Sequence, residues 1–225
     1  MLQQWKNLFF IHYKVSPSEI ESHIPKGTSL DLFEGKAVLG VVGLQIGGIA
    51  FSWADSIRYG TFNELNLRTY IQNAEGERLV YFFSLDCHSR LATFLAKTFY
   101  KLPYYYSHIE YKVAEKAAQM DCVARGNYPC QYLVNYYGKL FDAASDSQAS
   151  FFVERYAFIT ADRKGNRYRG DLAHDPYQLY RGKVKTFQDQ LPHANGLELG
   201  EALLIPEGCF FSPGMPIRVV GFRRL

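Results

Sequence analysis

The chain has 225 residues, 48% of them hydrophobic and 21% charged, which is enough for one large domain (residues 1–225) with a sizeable core. A formal charge of +3 is too small to imply a nucleic-acid partner, and no window holds the ~18 consecutive apolar residues of a membrane-spanning helix. Four cysteines without a CxxC spacing supply no zinc motif, and no cofactor motif accompanies them, so the expectation is free thiols in a cytoplasmic protein with neither metal nor cofactor.

The 17 Tyr, 17 Phe and 2 Trp favour pleated, half-buried surfaces and lean the fold toward β. Leu8 to Val15 reads as a strand, and Ser16-Pro17-Ser18-Glu19 as a capping box opening a short helix that ends before Pro25. Leu30 to Phe33 and Lys36 to Gln45 read as strands, with Gly40 and Gly43 marking close backbone approach. Gly47 to Tyr59 has no clear period and reads as a long loop.

The stretch Thr61 to Tyr106 organises the chain as strand, tight turn, strand, helix, then Pro103 and three tyrosines. One face of its first strand carries Phe62, Glu64, Asn66, Arg68 and Tyr70, and the other carries Leu65, Leu67, Thr69 and Ile71. Asn73 to Glu77 fits a three-residue hairpin loop closed by Gly76. In that register Glu64 faces Asp86, Asn66 faces Ser84 and Arg68 faces Phe82. Paired carboxylates repel and need a cation between them or a raised pKa, with Arg68 or Arg90 as the candidate cation. The alternative is a solvated face, where charged strand residues are common. Ser89 caps a helix over Arg90 to Lys101 with Leu91, Phe94, Leu95 and Thr98 on one stripe.

Strands follow at Tyr105 to Val113, Met120 to Arg125 and Cys130 to Tyr137, then a loop over Phe141 to Gln148 and a helical turn or two over Ser147 to Glu154. Tyr156 to Ala161 and Arg167 to Leu172 flank a turn at Asp162 to Asn166, Pro176 to Val184 is ambiguous, and Ile217 to Phe222 ends the chain after the breakers Pro213, Gly214 and Pro216. About ten short strands with two or three short helices predict a mostly β (α+β) fold, a curled antiparallel sheet or partly open barrel. His12, among aromatics, reads as a core histidine, and His174-Asp175 point apart on a strand.

The segments FNELNLRTY, YFFSLD, LPYY, FFVERY and HDPY resemble the YqjF-like domain family, which is similar in turn to the acetoacetate decarboxylase superfamily. The resemblance implies a curled sheet around a central cavity faced by Glu64 and Arg68. In the decarboxylases a lysine pair follows the proline after the central helix and supplies a Schiff-base nucleophile. Tyr104 and Tyr105 stand there instead, and Lys101 precedes the proline. The expectation is a cavity for a small carboxylate or oxo compound, used by a lyase- or hydrolase-like enzyme without covalent catalysis or by a non-catalytic binding protein. Glu64, Asp86 and Tyr104 are its candidate catalytic residues. Arg68, Asn66, Ser84, Glu154 and Arg155 are its candidate ligand-binding residues. A small molecule is the expected partner, with no nucleic acid or membrane, and homo-oligomerisation is left open.

Overall fold

The computed structural model describes residues 1–51, 54–162, 164–199 and 205–225. In chain order the elements are β1 (Leu2–Val15), α1 (Pro17–Ile20), β2 (Ser29–Leu30), β3 (Ala37–Phe51), β4 (Ala54–Tyr59), β5 (Phe62–Gln72), β6 (Arg78–Cys87) and α2 (Arg90–Tyr100). There follow β7 (Tyr104–Tyr106), β8 (His108–Ala114), β9 (Ala117–Ala124), β10 (Tyr128–Asp142), α3 (Ser147–Val153), β11 (Ala157–Ala161), β12 (Arg167–Ala173), β13 (Gln178–Asp189), α4 (Leu191–Ala194) and β14 (Gly208–Arg224).

The sheet closes on itself. Pairing runs β1-β3-β5-β6-β11-β12-β14 and returns to β1, giving a seven-stranded barrel that is antiparallel except between β6 and β11. From β14 the sheet continues outward through β13, β10, β9 and β8. Alternation along each strand therefore serves two cores. Inward residues such as Phe10, Val42, Leu44, Phe62 and Leu85 fill the barrel with α3's Phe152. Outward residues such as Phe9, Ile11, Leu65 and Leu67 are covered by the extension through Met120, Tyr132 and Val134.

The hairpin turn forms as the sequence predicts. Asn73 N–H donates to the Glu77 carbonyl at 3.2 Å, and Gly76 takes φ +76°. Arg68 pairs with Phe82. Beyond that point the expected register fails, because the ladder shifts between Leu67 and Arg68, leaving Phe83 as an extra residue on β6. Glu64 then lies across from Cys87 and Asn66 across from Leu85. The bulge reverses the parity of the end of β6, so Leu85 faces inward while Ser84 and Asp86 turn to the outer layer.

Other expectations need correction. Gly47 to Phe51 and Ala54 to Tyr59 are strand, paired through Ile49 and Tyr59, whereas Ser52 and Trp53 lie outside the described residues. Phe141 and Asp142 belong to β10, and a 3-10 turn covers Ala143–Ser145. Pro213, Gly214 and Pro216 sit inside β14, where Gly214 at φ +114° packs against the Trp5 carbonyl. Arg163 of the predicted turn lies outside the described residues. The capping box holds: Ser16 N–H donates to Glu19 Oε2 at 2.7 Å.

Candidate functional site

A cavity of about 320 Å³ occupies the barrel. Its walls are mostly apolar, with Trp5, Phe10, Phe62, Phe82, Tyr100 and Phe158 among them, and helix α2 contributes Ala92, Leu95 and Ala96. Polar side chains enter through Glu64, Asn66 and Arg68 of β5, with Tyr104 of β7 and Gln3 of β1. Period-two alternation puts the three β5 residues on the inner face.

Glu64 is buried and holds two hydrogen bonds: Tyr104 donates its hydroxyl to Oε2, and Asn66 Nδ2 donates to Oε1 at 3.1 Å. Burial pushes its carboxyl from 4.5 up to about 7, against the two donors that favour the ionised form. Asp86, behind the sheet, adds a smaller upward push. Burial and the Glu64 charge raise the Tyr104 hydroxyl well above its ordinary range, so it stays a donor. Pairing of β7 with β6 fixes this contact by placing Tyr104 beside Leu85. Of the three tyrosines only Tyr104 points inward, and Tyr106 is exposed.

Arg68 is buried at the opposite end of this polar row. Its Nη2 donates to the Phe152 carbonyl at 3.2 Å, and its guanidinium carbon sits 5.6 Å from the Phe10 ring centre. Gly40 across the strand makes room, since a Cβ there would stand 3.2 Å from Arg68 Cγ. Among the described residues no ion pair involves Arg68, and its Nε has no hydrogen-bond partner. The Phe152 carbonyl also accepts from the Tyr70 hydroxyl at 2.6 Å, and Tyr70 meets His12 Nε2 at 2.8 Å. Helix α3 thus plugs this end of the barrel, and His12 is the buried core residue its surroundings indicate.

The remaining expected site residues lie elsewhere. Ser107 Oγ donates to Asp86 Oδ1 at 2.7 Å, with Arg125 Nε 3.8 Å away, and Ser84 Oγ accepts from Asn195 Nδ2 at 3.1 Å. This second polar cluster is in the outer layer. Glu154 accepts from the Tyr177 N–H and the Tyr156 hydroxyl, and Arg155 pairs with Asp31 at 2.6 Å while donating to the Phe151 carbonyl. Neither lines the cavity. Lys101 also lies outside it, with Nζ on the Thr98 carbonyl at 2.6 Å, and no lysine is among the cavity's described lining residues. No cluster of His, Cys, Asp and Glu suited to a metal occurs among the described residues. Sequence reading missed Trp5, Phe10 and Tyr100 as lining, since only barrel closure brings β1 and α2 to β5.

Residues 2–216 match the profile of DUF2071, described as "Uncharacterized conserved protein". The chain is 28% identical to the "Uncharacterized protein YqjF" of Bacillus subtilis (strain 168), over 90% of this chain and 84% of that one. Among solved structures it is similar to the acetoacetate decarboxylase of Legionella pneumophila subsp. pneumophila str. Philadelphia 1, with TM-score 0.73, 10% identity, and coverage of 100% of this chain and 86% of that chain. It is also similar to the enduracididine biosynthesis enzyme MppR complexed with pyruvate, with TM-score 0.69, 12% identity, and coverage of 99% and 88%. An acetoacetate decarboxylase-like enzyme from Sphingomonas wittichii RW1 follows at TM-score 0.64 and 12% identity, covering 100% and 92%. Identities this low speak for the shared fold.

Proposed function

The chain belongs to the DUF2071 family of uncharacterized conserved proteins, and from that premise we propose that its barrel binds a small molecule bearing a carboxylate, with Arg68 as the anchor. The observation that carries this reading is a buried guanidinium that has no carboxylate partner among the described residues, at the end of an apolar cavity. A buried charge is costly unless paired, and a bound carboxylate supplies the pair. The complex of the neighbouring MppR with pyruvate supports a fold that admits such ligands. We read residues 1–225 as one domain serving this site.

Glu64 is the proton-transfer group of the proposed site. A carboxyl poised at about 7 exchanges its proton readily near neutrality, and Tyr104 and Asn66 orient it. The step is of lyase or hydrolase type: neutral Glu64 gives a proton to a substrate oxygen, or ionised Glu64 takes one from a carbon or a water. With Tyr104 and Tyr105 after Pro103 and no lysine in the described lining, the route has no Schiff base. A second reading, a binding protein without turnover, draws support from the aromatic walls and from a Glu64 already held by two donors.

Calorimetric titration of monocarboxylates at pH 7 into the parent protein and Arg68→Met tests the anchor. A charge-assisted hydrogen bond of about 1.5–3 kcal/mol predicts binding ~10- to 100-fold weaker in the variant. Equal affinities would remove Arg68 from the site. Glu64→Gln separates the two readings, because turnover requires Glu64 whereas simple binding tolerates its amide.

A further inference from the structure

The two charged side chains among the cavity's described lining residues, Glu64 and Arg68, stand too far apart for one short ligand. Glu64 and Arg68 are four residues apart on β5, which at ~3.3 Å per residue separates their Cα atoms by about 13 Å. Each head is tied to its own level of the barrel. Tyr104 and Asn66 hold the Glu64 carboxyl, and the Phe152 carbonyl, fixed also by Tyr70, holds the Arg68 guanidinium. An acid of three or four carbons resting on Arg68 leaves its carbonyl short of Glu64. It also leaves most of the lumen empty. A cavity of about 150 Å³ holds one benzene ring, and this one has about 320 Å³. Between the heads, Asn66 Oδ1 is buried without a hydrogen-bond partner among the described residues.

Resting on the carboxylate reading above, we propose that the ligand is an elongated aryl or branched-alkyl carboxylate with a distal oxygen. Its carboxylate sits on Arg68, whose Nε has no hydrogen-bond partner among the described residues. Its apolar body crosses the Asn66 level against Phe10, Val42 and Leu85. Its far carbonyl or hydroxyl meets Glu64 and Tyr104. The group that exchanges a proton with Glu64 is therefore remote from the carboxylate and is not on the carbon next to it. A ligand N–H or O–H at mid-length satisfies Asn66 Oδ1.

Calorimetry at pH 7 with 4-(4-hydroxyphenyl)butanoate, 4-phenylbutanoate and pyruvate as probes tests the length. The hydroxyphenyl acid is expected to bind at least tenfold tighter than either other probe and to lose at least tenfold in Arg68→Met. Val42→Phe, which narrows the lumen between the two heads without altering either, is expected to abolish binding of the aryl acids. Circular dichroism checks the fold of each variant, and should Arg68→Met not fold, Val42→Phe decides. Pyruvate binding as tightly as the hydroxyphenyl acid, in an Arg68-dependent way, would overturn the elongated ligand and leave the carboxylate reading standing. Binding of the hydroxyphenyl acid undiminished by Val42→Phe would also overturn it. Failure of both acids to bind the parent, or indifference to Arg68→Met, would bring down the carboxylate reading as well.

Discussion

At the scale of single residues, Glu64 was legible and its partners only in part. The alternation of β5 puts Glu64, Asn66 and Arg68 on one face, and barrel closure turns that face inward. Asp86 and Ser84 were misplaced because one extra residue at Phe83 reverses the face, and no Gly or Pro in YFFSLD announces it. The raised Glu64 carboxyl has a measurable consequence. Its folded-state pKa of about 7 exceeds the reference 4.5, so the native protein binds more protons than the unfolded chain between those values. Stability from this group is thus full below about pH 4.5 and is lost as pH rises through 7, a loss on the order of 3 kcal/mol. In urea unfolding against pH, the difference between the parent and Glu64→Gln should change by about that amount across the window. Parallel profiles would show that Glu64 ionises at an ordinary pH.

At the scale of elements, the strands near turns were readable and the long ones were not. Asn73 to Glu77 fixed the hairpin locally, whereas Pro213 and Pro216 masked β14, which stays paired with β1 through that stretch although both residues usually break strands. Helix α2 was placed correctly, with Ser89 Oγ accepting from the Ala92 N–H, but its buried stripe was read only in part. Leu91 and Phe94 are exposed at 51% and 63%, whereas Leu95 of the expected stripe meets the cavity together with Ala92 and Ala96. Small residues let the helix lie close to the barrel, a requirement the hydrophobic pattern does not show. Gly43 is a close-approach position the sequence did mark. A Cβ there would fall 2.3 Å from the Phe9 ring and 2.9 Å from Met120 Cε, in the outer core. Gly43→Ala should therefore cost about 1–3 kcal/mol by overpacking, read from the urea midpoint at constant slope. An unchanged midpoint would mean that β1 and β3 yield to the added methyl without strain.

At the scale of the whole molecule, the barrel is a wall around a row of polar groups, closed at one end by α3 and flanked by α2. The resemblance carried by FNELNLRTY and LPYY anticipated this architecture. Composition alone could not show that Arg68 has no carboxylate partner among the described residues, because pairing is decided by the three-dimensional register. That fact reverses the expected effect of removing it. Were Arg68 the partner of Glu64 and Asp86, its loss would strand buried charges and cost about 3–5 kcal/mol. With no ion pair among the described residues, and with only the Phe152 carbonyl and aromatic rings as partners, its burial is, on the reading proposed above, a stability cost that a bound carboxylate offsets. Equilibrium urea unfolding of ligand-free Arg68→Met beside the parent and the exposed-site control Lys139→Ala is the most direct test. Arg68→Met should be as stable as the parent or more so, with Lys139→Ala within ~0.5 kcal/mol. Destabilisation of Arg68→Met by about 3 kcal/mol or more would show that Arg68 holds the fold together, and would contradict its assignment as an anchor for a bound carboxylate.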